Sequence, residues 1–169
     1  MTENDIHIPD RLDYRIMQIL ATEARSSDVA IGEQIGLSSN AVARRRKLLE
    51  DRGFIGHYAA AFDLELMGYG TLVIVQFELV SQSDEALRKF EMGIQSCQSI
   101  SKCWFISGDI DFLAILHVPS LNDYDETYRK ELSTLPNVSK IRSSLALRKV
   151  MDRSIAPRII FPAPHRLPG

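Results

Sequence analysis

Hydrophobic positions in the first fifty residues recur every three to four residues, which is the spacing of amphipathic helices. A first helix over about residues 10–23 carries this spacing on one face, at Leu12, Ile16, Ile19 and Leu20. A second helix, which Ser27 can cap and Gly36 can end, is expected to bury Val29, Ile31 and Ile35. A third begins after Ser38, runs to about Gly53 and turns inward Val42, Leu48 and Leu49. Three short helices with a tight glycine turn between the last two predict a helix-turn-helix.

The hydrophobic pattern changes after Gly53. Residues 57–69 are glycine-bounded and predict a short linker strand, and an apolar strand follows over residues 70–80. A helix near residues 83–97, two β-rich runs at 100–107 and 111–118 joined by Gly108-Asp109, a helix ended by Pro136 and a strand over 138–150 complete the pattern. This βαββαβ order is ferredoxin-like, so the fold class is α+β.

These elements divide the chain into four segments. We expect a helix-turn-helix domain at residues 1–56, the linker strand at 57–69, a ferredoxin-like domain at 70–151 and a C-terminal tail at 152–169. The tail contains four prolines, which prevent a long helix or strand.

The first strand of the second domain is apolar on both of its faces. Leu72 and Ile74 alternate with Val73, Val75 and Phe77. A βαββαβ unit places both helices on one side of its sheet, so the other side needs a different cover. The sequence therefore predicts a homodimer formed through this domain.

Overall composition is that of an ordinary globular protein. The 169 residues are 45% hydrophobic and 25% charged, with a formal net charge of −2. No apolar run has the roughly 18 residues of a membrane span, and the acidic start is unlike a signal peptide, so a cytoplasmic protein is expected. Cys97 and Cys103 have no metal-ligand spacing, which favours reduced structural thiols.

Positive charge is concentrated in the third helix, where four consecutive cations lie at residues 44–47. In a recognition helix the first turns meet base edges and cations reach phosphates. This predicts contact with double-stranded DNA through Ser38, Ser39, Asn40, Arg44, Arg45 and Lys47. The alternative is a solvated basic helix face, which charge runs usually are, and the three-helix context favours DNA.

Catalytic and cofactor motifs are not recognisable. The histidines, His7, His57, His117 and His165, are scattered without a nucleophile or metal-ligand spacing, and no phosphate loop or dinucleotide fingerprint is present. We therefore expect no enzyme activity, no cofactor and no metal site.

The loop at residues 107–111 is a second candidate site. Gly108 permits a tight turn, and Asp109 and Asp111 place carboxylates near the end of a hairpin. They are suited to hold the ammonium group of a ligand, but acids in such turns also cap backbone amides. The residues themselves leave both readings open.

Four segments in this order resemble the Lrp/AsnC family of transcriptional regulators over about residues 11–151. The resemblance is carried by LDYRIMQIL, IGLSSNAVARRRKLLEDRGFIGHYAAAFD, SGDIDFLAILHV and LPNV. It implies a plain or winged-helix-like helix-turn-helix, a linker strand and a ligand-binding ferredoxin-like domain. It also implies dimers that assemble further to tetramers or octamers, and a small effector, commonly an amino acid, bound between subunits.

The resemblance also implies site residues. Gly108, Asp109 and Asp111 match the family's Gly-Asp-x-Asp turn, Ser143 matches a pocket hydroxyl, and Leu121 is suited to an apolar wall. The recognition-helix positions are occupied by Ser38, Asn40, Arg44, Arg45 and Lys47.

Two residues depart from the family pattern. Arg46 stands where Val or Ile is usual, so its stem is expected to pack while its head reaches a phosphate, or the helix is rotated. Asn137 replaces a glycine, which is tolerated because Asn accepts positive φ. The competing function is an oligomeric metabolite sensor with little DNA binding, which would have no need for four adjacent cations.

Overall fold

The computed structural model describes residues 8–153 and 155–160, which divide into two compact units. One unit contains the described residues up to Ala61 and those from Met151 onward, and the other spans Phe62–Val150. His7, His165, Ser154 and the last nine residues of the predicted tail lie outside the described residues.

The first unit is built from the three predicted helices, α1 (Arg11–Thr22), α2 (Asp28–Ile35) and α3 (Ser39–Asp51). Asp10, Ser27 and Ser38 cap them through side-chain oxygens that accept backbone N–H bonds. The buried core consists of Ile16, Leu20, Ile31, Val42 and Leu49. Val29 was wrongly predicted to be buried: it is 57% exposed, because α2 is short and turns only one stripe toward its neighbours.

A tight turn joins α2 to α3. Gly36 ends α2 at a φ of 74°, and the amides of Gly36 and Leu37 donate to the Gly32 carbonyl at 2.8 and 3.0 Å. A Cβ atom on Gly32 would lie 2.4 Å from the Leu37 carbonyl oxygen. The turn therefore requires a glycine inside α2, and it fixes where α3 starts.

The expected linker strand is absent, because residues 53–70 form turns and bends without strand pairing. No strand therefore follows α3 as a wing, and the helix-turn-helix is of the plain kind. The described part of the tail forms a helical turn, α6 (Pro157–Ile160), which lies against α1 within the first unit. None of the helices within residues 8–153 and 155–160 has the length and apolar character needed to cross a bilayer.

The second unit has the predicted βαββαβ order. Its strands are β1 (Thr71–Leu79), β2 (Ile100–Phe105), β3 (Phe112–Val118) and β4 (Val138–Leu145), and its helices are α4 (Asp84–Gln95) and α5 (Leu121–Lys130). A short 3-10 turn, Leu132–Thr134, follows α5, and the sheet order is β2-β3-β1-β4 with antiparallel neighbours. Asn137 adopts a φ of 61°, as its replacement of a glycine requires.

Both helices cover the same face of this sheet. The alternate β1 residues Val73, Val75 and Phe77 are fully buried against Phe90 of α4 and Leu132. The opposite face carries a partly exposed apolar patch, in which Ile74 pairs directly with Ile115 and Leu72, Leu113 and Trp104 lie around them. The sheet face without helices that the sequence predicted is therefore present in the folded chain.

Candidate nucleic-acid interface and effector loop

One face of α3 presents the polar groups that could meet DNA. Asn40, Arg44 and Lys47 are all exposed, and spacings of four and three residues align them along the helix. Lys47 is 77% exposed, with the Asp51 carboxylate 3.9 Å away. Ser38 is the N-cap, and Ser39, in the first turn, is half-buried. This face combines an amide and two cations over two helical turns.

Arg45 points away from that face. Its Nη1 donates to Asp10 Oδ2 and Asp13 Oδ1, each at 2.8 Å. Asp13 is completely buried, whereas Asp10 is half-exposed. Although burial opposes it, hydrogen bonds from the Asp13 amide and Arg45 lower the pKa of the Asp10 carboxyl. Arg45 therefore joins α3 to the first turn of α1, a contact that the sequence analysis did not foresee.

Arg46 forms ion pairs with different partners, one at the start of α2 and one within α3. Its Nη2 donates to Asp28 Oδ2 at 3.1 Å, and its Nε lies 3.9 Å from Glu50 Oε1. Asp28 at the start of α2 therefore supplies a counter-charge to Arg46, a partner that the sequence pattern did not indicate.

A residue beyond α3 hydrogen-bonds Glu50, the carboxylate that lies near Arg46. Tyr58 donates its hydroxyl hydrogen to Glu50 Oε1 at 2.7 Å. Burial, followed by the bond to Glu50, raises the pKa of Tyr58 to about 12, so it remains a donor at neutral pH. The start of the linker is therefore bonded to the end of α3.

The 107–111 loop separates its two acids. Gly108 adopts a φ of 131°, which favours glycine, and Asp109 is exposed. Asp111 is 6% exposed, and its carboxylate accepts from the Leu79 amide at 2.7 Å and from Gln82 Nε2 at 2.6 Å. Asp111 thus stabilises the loop from inside, and Asp109 is the carboxylate that faces solvent.

The other expected effector residues lie elsewhere in the unit. Ser143 lies on the edge strand β4, where it pairs with Val75, and a hydrogen bond joins it to the Tyr124 hydroxyl, while Leu121 is 60% exposed at the start of α5. The Gly108 loop precedes β3 and Leu121 follows it, so the seven-residue strand separates them by roughly 20 Å. One chain does not bring these residues into a single pocket.

A cavity of about 590 Å³ opens at the Leu121 end of the sheet, which the sequence analysis missed. Its walls come from the linker, β2, β3 and α5, and include Tyr69, Ser101, His117, Glu126 and Glu131. Glu131 is bonded to Ser99, and Glu126 to Lys130, so these carboxylates are already engaged. No sequence motif marks the cavity, because four separated segments form it.

The described residues contain no arranged set of metal ligands, and their two cysteines are not activated thiols. No group of three or more His, Cys, Asp or Glu side chains is arranged to hold a metal among the described residues. Cys97 and Cys103 are both free and half-buried, and burial raises the pKa of Cys103 to about 11. A thiol that stays protonated is a poor nucleophile, which fits a structural role.

Comparison with known protein families matches both units. Residues 10–50 match the AsnC-type helix-turn-helix domain, and residues 72–155 match the Lrp/AsnC ligand binding domain. A Bkd operon transcriptional regulator of Pseudomonas aeruginosa is 32% identical over 148 residues, covering 88% of this chain and 97% of the relative. The leucine-responsive regulatory protein of Escherichia coli is 29% identical over 141 residues, covering 83% and 86%.

Solved structures share the same fold. A transcriptional regulator from Neisseria meningitidis, crystallised as its L-Met complex, superposes with a TM-score of 0.83 at 23% identity, covering 89% of this chain and 97% of its own. An AsnC family regulator from Agrobacterium tumefaciens gives a TM-score of 0.83 at 24% identity, covering 89% and 98%. These similarities confirm the α+β architecture over both units.

Proposed function

Because the chain belongs to the Lrp/AsnC family, whose members are transcriptional regulators rather than enzymes, we propose that it binds operator DNA through Asn40, Arg44 and Lys47. The observation that carries this proposal is the division of the four consecutive cations. Arg45 and Arg46 are ion-paired within the domain, whereas Arg44 and Lys47 are exposed on the face that Asn40 shares. Its proposed place of action is the cytoplasm.

Each exposed group has a distinct role in this proposal. Arg44 and Lys47 neutralise phosphates, and Asn40 bonds an adenine edge in the major groove. Ser38 and Ser39 lie at the N-terminus of α3, where backbone amides and hydroxyls are suited to a phosphate. Arg45 leaves the proposed contact set, because its guanidinium is already bonded to two carboxylates of α1 and its cap, one of them buried.

We expect Arg44→Ala and Lys47→Ala each to weaken operator binding and to flatten its salt dependence. Each lost phosphate contact removes roughly 0.9 from the slope of log K against log salt concentration on duplex DNA. Titrations at several salt concentrations measure this slope. Lys89→Ala, at a paired lysine on α4, is the matched control and should leave it unchanged. An unaltered slope in both α3 variants would contradict the proposal.

Asn40→Ala separates base reading from phosphate contact in the same titrations. It should leave the salt slope unchanged and lower operator affinity by about 1 to 3 kcal/mol, with little change on random DNA. Equal losses on both DNA samples would remove Asn40 from base recognition.

A second copy of the chain completes the proposal. The half-covered sheet face around Ile74 and Ile115 is suited to pack against its own symmetry mate, giving a homodimer with two recognition helices. Paired helices read half-sites about 34 Å apart or a multiple of that spacing. Assembly of such dimers to tetramers or octamers extends the same arrangement.

We expect Ile74→Asp to dissociate the dimer, because it places an unpaired carboxylate in the apolar interface. Sedimentation velocity at micromolar concentration measures the change. Met92→Asp, at an exposed position on α4 on the opposite side of the sheet, is the control and should remain dimeric. A dimeric Ile74→Asp variant would show that another surface makes the contact.

The effector that fits this proposal is an amino acid. Relatives are named for their response to leucine, and the Neisseria structure is an L-Met complex. Asp109 can pair with an ammonium group, and Leu121 of a second copy, together with Ser143, can line the rest of an intersubunit pocket, since Leu121 lies roughly 20 Å from the loop within one chain. A thermal-shift screen of the twenty amino acids tests this, because a ligand of the folded state raises its stability.

A further inference from the structure

We propose that Arg45 is a positioning residue of the recognition helix, which holds α3 to the first turn of α1 and makes no contact with DNA. The inference rests on the proposed DNA binding by α3. It separates Arg45 from the neighbouring Arg44, which the sequence places in the same basic run.

Both carboxylates that Arg45 contacts, those of Asp10 and Asp13, also accept hydrogen bonds from backbone amides at the start of α1. Asp13 Oδ1 accepts from Arg45, while its Oδ2 accepts from the Asp10 amide at 3.0 Å. Asp10 Oδ2 accepts from Arg45, while its Oδ1 accepts from the amides of Leu12 and Asp13 at 2.8 and 2.9 Å. All four carboxylate oxygens are therefore engaged, and the guanidinium meets acceptors that the helix cap holds in place.

Burial makes this contact hard to exchange for a phosphate. The Asp13 side chain is 1% exposed and that of Arg45 is 26% exposed. Turning Arg45 toward DNA would break its 2.8 Å contact with the buried Asp13 carboxylate, and breaking a buried ion pair is strongly unfavourable. An exposed phosphate contact lies in a more polar surrounding and returns less free energy. Arg45 therefore stays on Asp13 when DNA is bound.

The connection has a mechanical consequence. Arg45 lies in the middle of α3, next to Arg44 of the proposed DNA face, so its contact with α1 fixes the rotation of the helix about its own axis. Arg46 restrains the same helix toward α2 through Asp28. The two restraints hold α3 to two different helices and orient Asn40, Arg44 and Lys47 before DNA arrives.

The test is Arg45→Gln, measured by operator titrations at several salt concentrations on the full-length protein. Helical ellipticity is recorded at the same temperature to show that the protein is folded. We expect operator affinity to fall about tenfold, which is the result if only about one tenth of the variant molecules hold α3 in the binding orientation. The salt slope should remain that of the wild type, whereas loss of a phosphate contact would reduce it by roughly 0.9. A slope reduced by that amount overturns the positioning role.

Asp13→Asn provides a second test, because the positioning role and the phosphate-contact role of Arg45 predict opposite changes in operator affinity. If Arg45 positions the helix, the variant weakens operator binding, because the cation loses its charged partner. If Arg45 is a phosphate ligand restrained by Asp13, the variant releases it and strengthens binding. The double variant Asp13→Asn/Arg45→Gln should be no weaker than Arg45→Gln alone, since both changes break one contact.

Failure of this inference is distinguishable from failure of the proposed function. Wild-type slopes for all three variants, Arg45→Gln, Arg44→Ala and Lys47→Ala, would remove α3 as a phosphate-binding helix. A reduced slope for Arg45→Gln with reduced slopes for the other two would keep DNA binding and reject the positioning role. Arg88→Gln, at an exposed arginine of α4, controls for the loss of a positive charge.

Discussion

Asp111→Ala is expected to destabilise the second unit by roughly 2 to 3 kcal/mol, because it removes the acceptor of two hydrogen bonds and leaves a buried donor unpaired. The Leu79 amide, at the end of β1, donates to the Asp111 carboxylate at 2.7 Å. Urea unfolding followed by ellipticity measures the loss.

The same residue connects three segments, which is why the effect is large. The Asp111 amide donates to the Phe77 carbonyl, its carbonyl accepts from the Ile106 amide, and its side chain holds Gln82 ahead of α4. Removal of the carboxylate therefore loosens the hairpin and the start of α4 together.

Asp109→Ala is the matched control for this prediction. Its carboxylate is exposed two residues away in the same loop, so stability should change by less than about 0.5 kcal/mol. Under the proposed function it should nevertheless lose effector binding in calorimetry. Wild-type stability in Asp111→Ala would contradict the structural role and restore Asp111 as a ligand-binding candidate.

The fold followed from the sequence because its signals are local. Apolar spacing of three and four marked the helices, alternation marked β1, and the capping residues Ser27 and Ser38 lie where the structure has them. A single residue, Asn137, indicated a positive φ before Val138, and that conformation is present. Each of these signals depends on neighbours within one or two turns, which is the range that a sequence pattern covers.

The site was only partly predictable because its organisation depends on distant partners. Arg45 lies 35 residues from Asp10 and 32 from Asp13, and Asp111 lies 29 from Gln82. A run of four cations looks uniform in one dimension, and only packing against α1 and α2 divides it. The prediction of a linker strand was wrong for a related reason. Residues 57–69 form no strand pairing within the chain, and a local pattern does not show whether a partner strand is present.

The effector residues show the same limit in another form. A family resemblance carries residues over one by one, and it does not say which of them share a chain in the assembled pocket. The roughly 20 Å between the Gly108 loop and Leu121 within one unit makes a second copy necessary if both line one site. Dimerisation and effector binding are therefore linked parts of the proposal.

Gly32→Ala is expected to destabilise the first unit by about 1 to 3 kcal/mol, as overpacking in a tight contact does. A helical Gly→Ala change ordinarily stabilises a protein by about 0.5 to 1 kcal/mol, so the expected sign is reversed. The cause is the Leu37 carbonyl oxygen, which a Cβ would approach to 2.4 Å, and which belongs to the backbone and cannot rotate away.

The consequence extends to DNA binding, because the same turn fixes the start of α3. Relief of the clash moves Leu37 and Ser38 away from α2, which displaces the N-cap and with it Asn40 relative to the rest of the domain. Operator affinity should therefore fall more than the loss of folded protein accounts for, and thermal unfolding with operator titration below the midpoint measures both effects. Gly56→Ala, where a Cβ would meet nothing within 4 Å, is the matched control and should leave stability and affinity unchanged. A Gly32→Ala variant more stable than the wild type would show that the turn has room for a side chain, and the close approach of α2 to the start of α3 would then not constrain the recognition helix.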